Sequence, residues 1–242
     1  MKTVAYISDI HLDEQYPADI GADPRSNWQL ILADINSKGI SEIIFGGDIG
    51  ASSSYKYFFN SLNGFSKNLK ITLGNHDSYK EIKKYYKNDI DQRKDELYYS
   101  LEDDSYEYFF LDSSSSKISS NQLEWLEKRL HFSSKKPVIF IHHPVLKVDT
   151  FLDTEYPLNN REAVKKLFLK QKQDIIIFCG HYHMDDKSEF NNIIQFITPA
   201  GSYQAVKEAD NLELNTNLFG YRIINFGKGE INSDTVWFKK NK

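Results

Sequence analysis

The histidines of this chain lie in short motifs, beside aspartate or asparagine. Six of the seven fall in the motifs Asp9-Ile10-His11, Gly74-Asn75-His76-Asp77, His142-His143-Pro144 and Gly180-His181-Tyr182-His183, and a related motif is Gly46-Gly47-Asp48. A neutral imidazole offers a lone pair near pH 7, which makes histidine the commonest side-chain metal ligand. The clustering therefore predicts a metal centre, because surface histidines would be scattered along the chain.

The types of these side chains indicate which metal chemistry they support. Carboxylate, amide and imidazole groups without a thiolate are typical of zinc, iron or manganese sites, rather than of calcium or purely structural zinc. The motifs offer more candidate ligands than one tetrahedral metal needs. Two metals that share a bridging carboxylate would use them all, an arrangement that enzymes use to hydrolyse phosphate esters. Glycines lie beside the candidate ligands and permit tight turns and close approach of the backbone to an anion. They are Gly46, Gly47, Gly74 and Gly180.

Each motif follows a predicted strand. Short apolar runs rich in β-branched residues predict buried strands at 4–7, 43–45, 69–73, 138–141 and 175–178. Apolar residues at helical spacing lie between them, and Ser119-x-x-Gln122 and Asn159-x-x-Glu162 are capping-box patterns for two of the helices. Alternating strands and helices predict a mainly parallel sheet, in which the carboxyl ends of the strands meet at one edge. The motifs should therefore converge on one site.

Two regions depart from this alternation. Residues 97–112 predict a hairpin that turns at Asp103-Asp104. Residues 188–238 contain several strand-like runs and no convincing helix. We therefore expect a second, more antiparallel sheet.

Composition limits the class of protein and its location. A length of 242 residues predicts one domain over 1–242, and the net charge of −4 argues against nucleic acid as the main partner. The single cysteine, Cys179, excludes an intramolecular disulfide and suits a reducing compartment. No apolar run is long enough to span a membrane, and the run at 4–7 is too short for a signal peptide. A cytoplasmic location without membrane partners is expected.

In this order, the motifs Asp-x-His, Gly-Asp, Gly-Asn-His-Asp, His-x-Pro and Gly-His-x-His resemble those of the calcineurin-like metallophosphoesterases. The resemblance extends from Asp9 to Gln204. It implies a four-layer α/β/β/α sandwich of two mixed sheets flanked by helices. It also implies an enzyme, a phosphoric ester hydrolase with two metal ions, which would be manganese, iron or zinc.

The resemblance also assigns roles to the motif residues. It implies that one metal is held by Asp9, His11 and His183, that Asp48 bridges, and that the other is held by Asn75, His142 and His181. In the His-x-Pro pattern the first histidine is the ligand, so His143 is expected to be a neighbour. His76 is implied to contact the phosphate and assist the leaving oxygen as proton donor or charge stabiliser.

Other segments are similar to one branch of that family, the class III cyclic-nucleotide phosphodiesterases and their glycerophosphodiesterase relatives. These segments are His142–Val145, Phe151–Asp153, Leu158–Asn160, Leu111–Ser113, Gln122–Leu126 and Thr198–Gln204. This similarity implies hydrolysis of small phosphodiesters, with 3′,5′-cyclic nucleotides as candidates, by in-line attack of a hydroxide that bridges the metals. Asn160 matches a position that faces the substrate in that branch, and many of its members are homodimers. The residues after Asp48 and after Asp77 depart from the branch and leave the substrate open.

Three alternative functions compete with this interpretation. A phosphomonoesterase on the same centre would benefit from extra cations in the pocket, and the sequence assigns none. A nuclease is disfavoured by the negative net charge and the absence of an added domain. A non-catalytic scaffold of the same fold usually loses a ligand or the residue at His76, and here every position is filled.

Overall fold

Two mixed β-sheets form the framework of the protein. This computed structural model describes residues 2–65, 68–87 and 95–240. The strands are β1 (Lys2–Ile7), β2 (Glu42–Phe45), β3 (Leu69–Ile71), β4 (Tyr99–Glu102), β5 (Tyr106–Phe110), β6 (Lys136–Phe140), β7 (Ile175–Cys179), β8 (Asp186–Phe190), β9 (Ile193–Ile197), β10 (Gln204–Ala205), β11 (Leu214–Asn215), β12 (Leu218–Phe226) and β13 (Ile231–Lys239). One sheet has the order β13-β12-β1-β2-β3, the other has the order β4-β5-β6-β7-β9-β8, and β10 pairs with β11.

The helices occupy the connections between these strands. They are α1 (Gln15–Asp19), α2 (Pro24–Ser37), α3 (Tyr55–Ser61), α4 (Tyr79–Ile82), α5 (Ser120–Phe132), α6 (Phe151–Glu155) and α7 (Arg161–Leu169), with 3-10 turns at Ser52–Ser54 and Asn63–Phe65. Strands β1, β2 and β3 pair in parallel, and so do β5, β6, β7 and β9. The strands that precede the motifs therefore end on the same side of their sheets, as the sequence predicted.

Successive side chains of a strand point to opposite faces of its sheet, so each sheet packs against the other sheet on one face and against helices on the other. In β6, Phe140 faces the other sheet, where its ring centroid lies 5.6 Å from that of Tyr6 in β1. Ile139, next to it, belongs instead to the apolar cluster that includes Leu126 of α5 and residues of α7. On the outer face of the first sheet, Phe45 packs 6.4 Å from Trp28 of α2, measured between ring centroids. The order helix, sheet, sheet, helix confirms the predicted four-layer sandwich.

The predicted local elements are confirmed in most places. Strands β4 and β5 form the hairpin expected at 97–112, and the described residues from 186 to 240 contain strands without a helix. Ser119 caps α5 by accepting a hydrogen bond from Gln122 N over 3.2 Å. The Gln122 side chain does not complete the capping box, because its oxygen and nitrogen bond to the backbone of Asp112, each over 2.9 Å.

One capping prediction is wrong. Helix α7 has Asn160, not Asn159, as its N-cap, and the Asn160 side chain makes no capping hydrogen bond. Its amide oxygen instead accepts from Ile118 N over 3.0 Å and its amide nitrogen donates to Ile118 O over 2.8 Å. Asn160 therefore joins the loop before α5 to the start of α7.

The single cysteine of the chain lies in the interior. Cys179 is fully buried at the end of β7, where burial raises the pKa of its thiol. Across the described ranges, no helix has the length and apolar character required to cross a bilayer.

Candidate metal centre

The loops that follow the central strands run side by side and bring the motifs together. Asp9 N donates to Gly47 O over 3.0 Å, and Leu12 N donates to Ile49 O over 2.8 Å. The first and second motifs are thus held together by backbone hydrogen bonds beyond the ends of β1 and β2. Across the sheets, Gly201 N donates to Ser8 O over 2.9 Å. The motif residues occupy one end of the sandwich.

The backbone at the predicted ligands is strained. Left-handed φ angles occur at Asp9 (57°), His11 (47°), Asp48 (59°), His181 (73°) and His183 (50°). Such angles are uncommon for residues with a side chain, and they persist where surrounding contacts overdetermine the conformation. Their recurrence at the same residues that the motifs selected is an independent sign of a functional site.

Two motif glycines make room for the carboxylates. A Cβ atom on Gly74 would collide with the carboxylate of Asp48, and one on Gly180 would collide with Ser8 and the carboxylate of Asp9. Any larger residue would displace these side chains. The close backbone approach predicted from the sequence is therefore directed at the two acids.

Asp9, His11 and His183 form the first cluster, whose ligand atoms all lie within 4.8 Å of one another. Nδ1 of His11 lies 3.0 Å from Glu14 Oε2, and Nδ1 of His183 lies 3.1 Å from Tyr203 O. Because these oxygens accept, both Nδ1 atoms carry a proton, and Nε2 is the nitrogen of each ring that can bind a metal. The two Nε2 atoms face each other at 3.1 Å. Two ring nitrogens at that distance can share a proton or bind a common cation.

Asp48, His142 and His181 form the second cluster, within the same distance limit of 4.8 Å. Nδ1 of His142 lies 2.9 Å from Gly46 O, and Nε2 of His181 lies 2.9 Å from Tyr156 O. Each carbonyl oxygen accepts a hydrogen bond from one ring nitrogen, which leaves the other ring nitrogen to serve as a metal ligand. His142 Nε2 is fully buried and has no hydrogen-bond partner among the described residues. This orphaned nitrogen fits a metal ligand.

Asp48 joins the two clusters. Its Oδ2 atom lies 3.7 Å from His11 Nε2 and 3.2 Å from His142 Nε2, while its Oδ1 atom accepts from His76 N over 2.9 Å. A carboxylate in this place reaches ligands from both clusters. Asn75 lines the same cavity.

His76 stands at the rim of the centre. Its side chain is 45% exposed, and Nδ1 lies 3.1 Å from Glu14 Oε1. The hydrogen bond to Glu14 raises the pKa of His76 to about 9, so the ring is an imidazolium at neutral pH. A ring nitrogen of His76 also lies within 4.8 Å of ligand atoms of His11 and Asp48, so distance alone would admit it as a ligand.

The buried carboxylates and imidazoles of the centre shift one another's pKa values. Burial acts to raise the pKa of Asp9 and of Asp48, but the charge of His142 and its neighbours outweighs burial and holds both pKa values low. Burial acts to lower the pKa of His142, yet the two carboxylates raise it to about 10. Burial lowers the pKa of His181 to about 4. Two buried carboxylates thus require positive charge beside them, which metal ions would supply.

The cavity at the centre has a volume of about 410 Å³. Part of its lining, called the apolar wall, consists of Tyr16, Leu152, Tyr156, Tyr203, Leu212 and Leu214. The residues that line the cavity, in the part of the chain described, include no lysine and no arginine.

The structure separates the predicted site residues into two groups. The predicted ligands and His76 meet at one centre, whereas Asn160 bonds to Ile118 and is absent from the described lining residues. The ring of His143 lies against that of His181, with centroids 4.0 Å apart and planes tilted by 39°, and His143 Nδ1 lies 2.9 Å from Ser113 Oγ. Burial lowers the pKa of His143 well below its ordinary value, which keeps the ring neutral.

Sequence reasoning missed Glu14, which contacts two of the site histidines. Its only signal in the sequence is its place three residues after His11. Tyr16 and Tyr156 were also missed, because tyrosines are common in this chain and nothing marks these two. Tyr203 lies in the segment Thr198–Gln204, which resembles the phosphodiesterase branch, but no role was assigned to it. The apolar wall became visible only in the folded chain.

Comparisons with known proteins agree with this geometry. The family model of the calcineurin-like phosphoesterases matches residues 2–185. A protein named probable cyclic nucleotide phosphodiesterase from Fibrobacter succinogenes is 27% identical over 232 residues, covering 93% of this chain and 90% of the relative. A protein named probable glycerophosphodiester phosphodiesterase from Arcobacter nitrofigilis is 31% identical over 173 residues, covering 67% of this chain and 63% of the relative. A dimetal phosphatase from Danio rerio has the same fold, with a TM-score of 0.65, 12% identity and 98% of each chain covered.

Proposed function

The chain belongs to the calcineurin-like phosphoesterase family, and we propose that it hydrolyses small phosphodiesters with two bound metal ions. One observation supports this most strongly. Each of the four cluster histidines has one ring nitrogen held by an oxygen acceptor, so that the other ring nitrogen is left for the neighbouring groups of its cluster. Imidazoles fixed in this way are typical of metal ligands.

The donor set divides between two metals around a shared acid. Asp9, His11 and His183 would hold one metal, and Asn75, His142 and His181 would hold the other, with Asp48 between them. When bound, the metal pair supplies Lewis-acid polarisation of the phosphate and an activated water. Manganese, iron and zinc all suit these nitrogen and oxygen donors.

His76 would assist departure of the leaving oxygen. Glu14 occupies its Nδ1, which leaves the Nε2–H to donate into the cavity that His76 lines. The ring is charged at neutral pH, because its pKa is about 9. A charged donor at the developing oxyanion stabilises the transition state more than the ground state.

The lining favours a diester over a monoester. A monoester carries a second negative charge, and the described lining offers neither lysine nor arginine to balance it. The apolar wall gives a place for the ester substituent, with Tyr16 48% exposed and Tyr156 56% exposed. Exposed tyrosine rings stack well on a nucleobase. We therefore take a 3′,5′-cyclic nucleotide as the substrate, which agrees with the name of the Fibrobacter succinogenes relative.

We also infer a cytoplasmic setting for the reaction. The only cysteine is buried and free, so the fold has no disulfide that would require an oxidising compartment.

A hydrolysis panel with added Mn²⁺ tests the proposal. Its substrates are cyclic AMP, cyclic GMP, glycerophosphocholine, bis-p-nitrophenyl phosphate and the monoester p-nitrophenyl phosphate. We expect kcat/KM to be highest for a cyclic nucleotide and lowest for the monoester. Asp48→Asn serves as the matched inactive control. Monoester turnover above that of every diester would overturn the diester proposal, and glycerophosphocholine turnover above that of both cyclic nucleotides would overturn the nucleotide part alone.

A further inference from the structure

We propose that Glu14 is a positioning residue that fixes the orientation of the His76 ring beside the predicted metal ligand His11. The inference rests on the proposed function, in which His76 assists the leaving oxygen. Glu14 Oε2 lies 3.0 Å from His11 Nδ1, and Glu14 Oε1 lies 3.1 Å from His76 Nδ1. One carboxylate thus spans the two imidazoles, with one oxygen for each.

The place of Glu14 in the fold agrees with this use of its side chain. Glu14 is the N-cap residue of α1, and its side chain makes no capping hydrogen bond. It lines the cavity instead, where its side chain is 17% exposed. Withdrawing a carboxylate from water is costly unless hydrogen bonds replace the water. The two imidazole donors are the replacement that the structure provides.

The two histidines depend on Glu14 to different degrees. The side chain of His11 is 4% exposed, and its ring packs 5.0 Å from that of His183 and 6.2 Å from that of Tyr203. Packing therefore fixes the orientation of the His11 ring, and Glu14 adds an acceptor for its Nδ1–H. The side chain of His76 is 45% exposed, and its ring meets the edge of His11 at 4.8 Å. The bond from Nδ1 to Glu14 is the contact that sets the rotation of this exposed ring.

Loss of one acceptor oxygen should therefore affect the reaction more than metal binding. Transition-state stabilisation requires placement to within about 0.5 Å, and a freely rotating ring loses it. Glu14→Gln is the matched variant, because the amide has the same shape but only one oxygen to accept with. Asp13→Asn is the control, because Asp13 pairs with Arg25 at the surface and its left-handed φ of 58° suits asparagine.

The test combines a mutant cycle with a measurement that does not use activity. We expect Glu14→Gln to lower kcat for cyclic AMP by about 10- to 100-fold, the usual effect of removing such a partner. KM and manganese content should change little. In a His76→Ala background, Glu14→Gln should have no further effect on kcat, because the ring that Glu14 positions is already gone. In the protein loaded with diamagnetic Zn²⁺, the Nδ1–H signal of His76 in the proton NMR spectrum should exchange faster with water in Glu14→Gln and not in Asp13→Asn.

The outcomes separate this inference from the proposed function. Additive losses in the double variant, or loss of manganese from Glu14→Gln, would overturn the positioning role, because Glu14 would then act through His11. An unchanged His76 Nδ1–H signal would also overturn it. If the wild-type protein cleaves no ester, the proposed function fails, and the NMR measurement still decides whether Glu14 holds His76.

Discussion

The tautomers of the site histidines depend on oxygens that are not among the predicted ligands. Gly46 O, Tyr156 O and Tyr203 O each accept from a ring nitrogen, and Glu14 accepts from His11. The motifs supply the imidazoles, while the ring nitrogen that each one turns toward its cluster depends on these acceptors. A backbone carbonyl has no sequence signature, so this part of the site could not have been predicted from residue types.

Asp48 should be essential to both metals, because its carboxylate approaches His11 and His142. We expect Asp48→Asn to abolish hydrolysis and to reduce bound manganese, measured by elemental analysis after dialysis. Asparagine is preferable to alanine here, because it tolerates the left-handed φ of 59° and so removes charge without adding backbone strain. Full hydrolysis by this variant would contradict the bridging role, and Asp13→Asn again provides the surface control.

His76 should be dispensable for metal binding and important for turnover. His76→Ala removes the donor at the leaving oxygen, and we expect kcat to fall by roughly 10²–10⁴, the usual scale for a general acid. Metal content should remain at the wild-type value, because the cluster ligands do not include this ring in our assignment. Loss of a metal would show instead that His76 is a ligand, a role that its distance to His11 and Asp48 also permits.

At the scale of elements, apolar periodicity predicted the strands and the hairpin well, because burial of alternating side chains determines them locally. Helix starts were less predictable. Gln122 and Asn160 each use their side-chain amide on a distant backbone group, at Asp112 and Ile118 respectively. A capping pattern cannot reveal that competition, since the competing partner is brought in by the tertiary fold. The substrate contact implied for Asn160 stays a prediction without a supporting contact.

The hairpin turn between β4 and β5 gives a stability prediction with a defined dependence on pH. Asp103 Oδ1 accepts from Ser105 N over 2.8 Å and from Tyr106 N over 2.9 Å, and Oδ2 accepts from Tyr108 OH over 2.6 Å. Burial acts to raise the pKa of Asp103, but these hydrogen bonds outweigh it and lower the pKa. The folded state therefore favours the ionised form, and the stabilisation is present above the unfolded pKa of about 3.9 and is lost as pH falls through the folded pKa.

We expect Asp103→Ala to lower the free energy of unfolding by about 1 kcal/mol at pH 7, since the site is largely exposed and hydrogen bonds there contribute modestly. The difference from wild type should shrink as pH is lowered toward about 2. Urea unfolding at several pH values measures both effects. Asp104→Ala, at the exposed neighbouring position, is the control, and an effect independent of pH would show that the charge of Asp103 does not contribute.

At the scale of the whole molecule, the site exists because the two sheets place distant segments together. The contact between His11 and His183 joins residues 172 positions apart, and the one between Asp9 and Ser202 joins residues 193 apart. The sequence predicted that convergence because every ligand follows a strand. It could not predict the apolar wall, since Tyr16, Leu152 and Leu212 come from separate segments whose meeting depends on the packed fold.

Because the predicted metal ligands come from both sheets, metal removal should destabilise the whole fold. The Nε2 atoms of His11 and His183 lie 3.1 Å apart and the carboxylates of Asp9 and Asp48 are buried, so a bound cation would join groups from both sheets. A ligand at 1,000 times its Kd stabilises the folded state by about 4 kcal/mol, and each kcal/mol shifts Tm by about 2–4 °C in a protein of this size. We therefore expect excess EDTA to lower Tm by about 10 °C relative to saturating Mn²⁺, measured by circular dichroism. Asp48→Asn should show a much smaller shift, and an equal Tm with and without metal in the wild-type protein would mean that the clusters do not bind it.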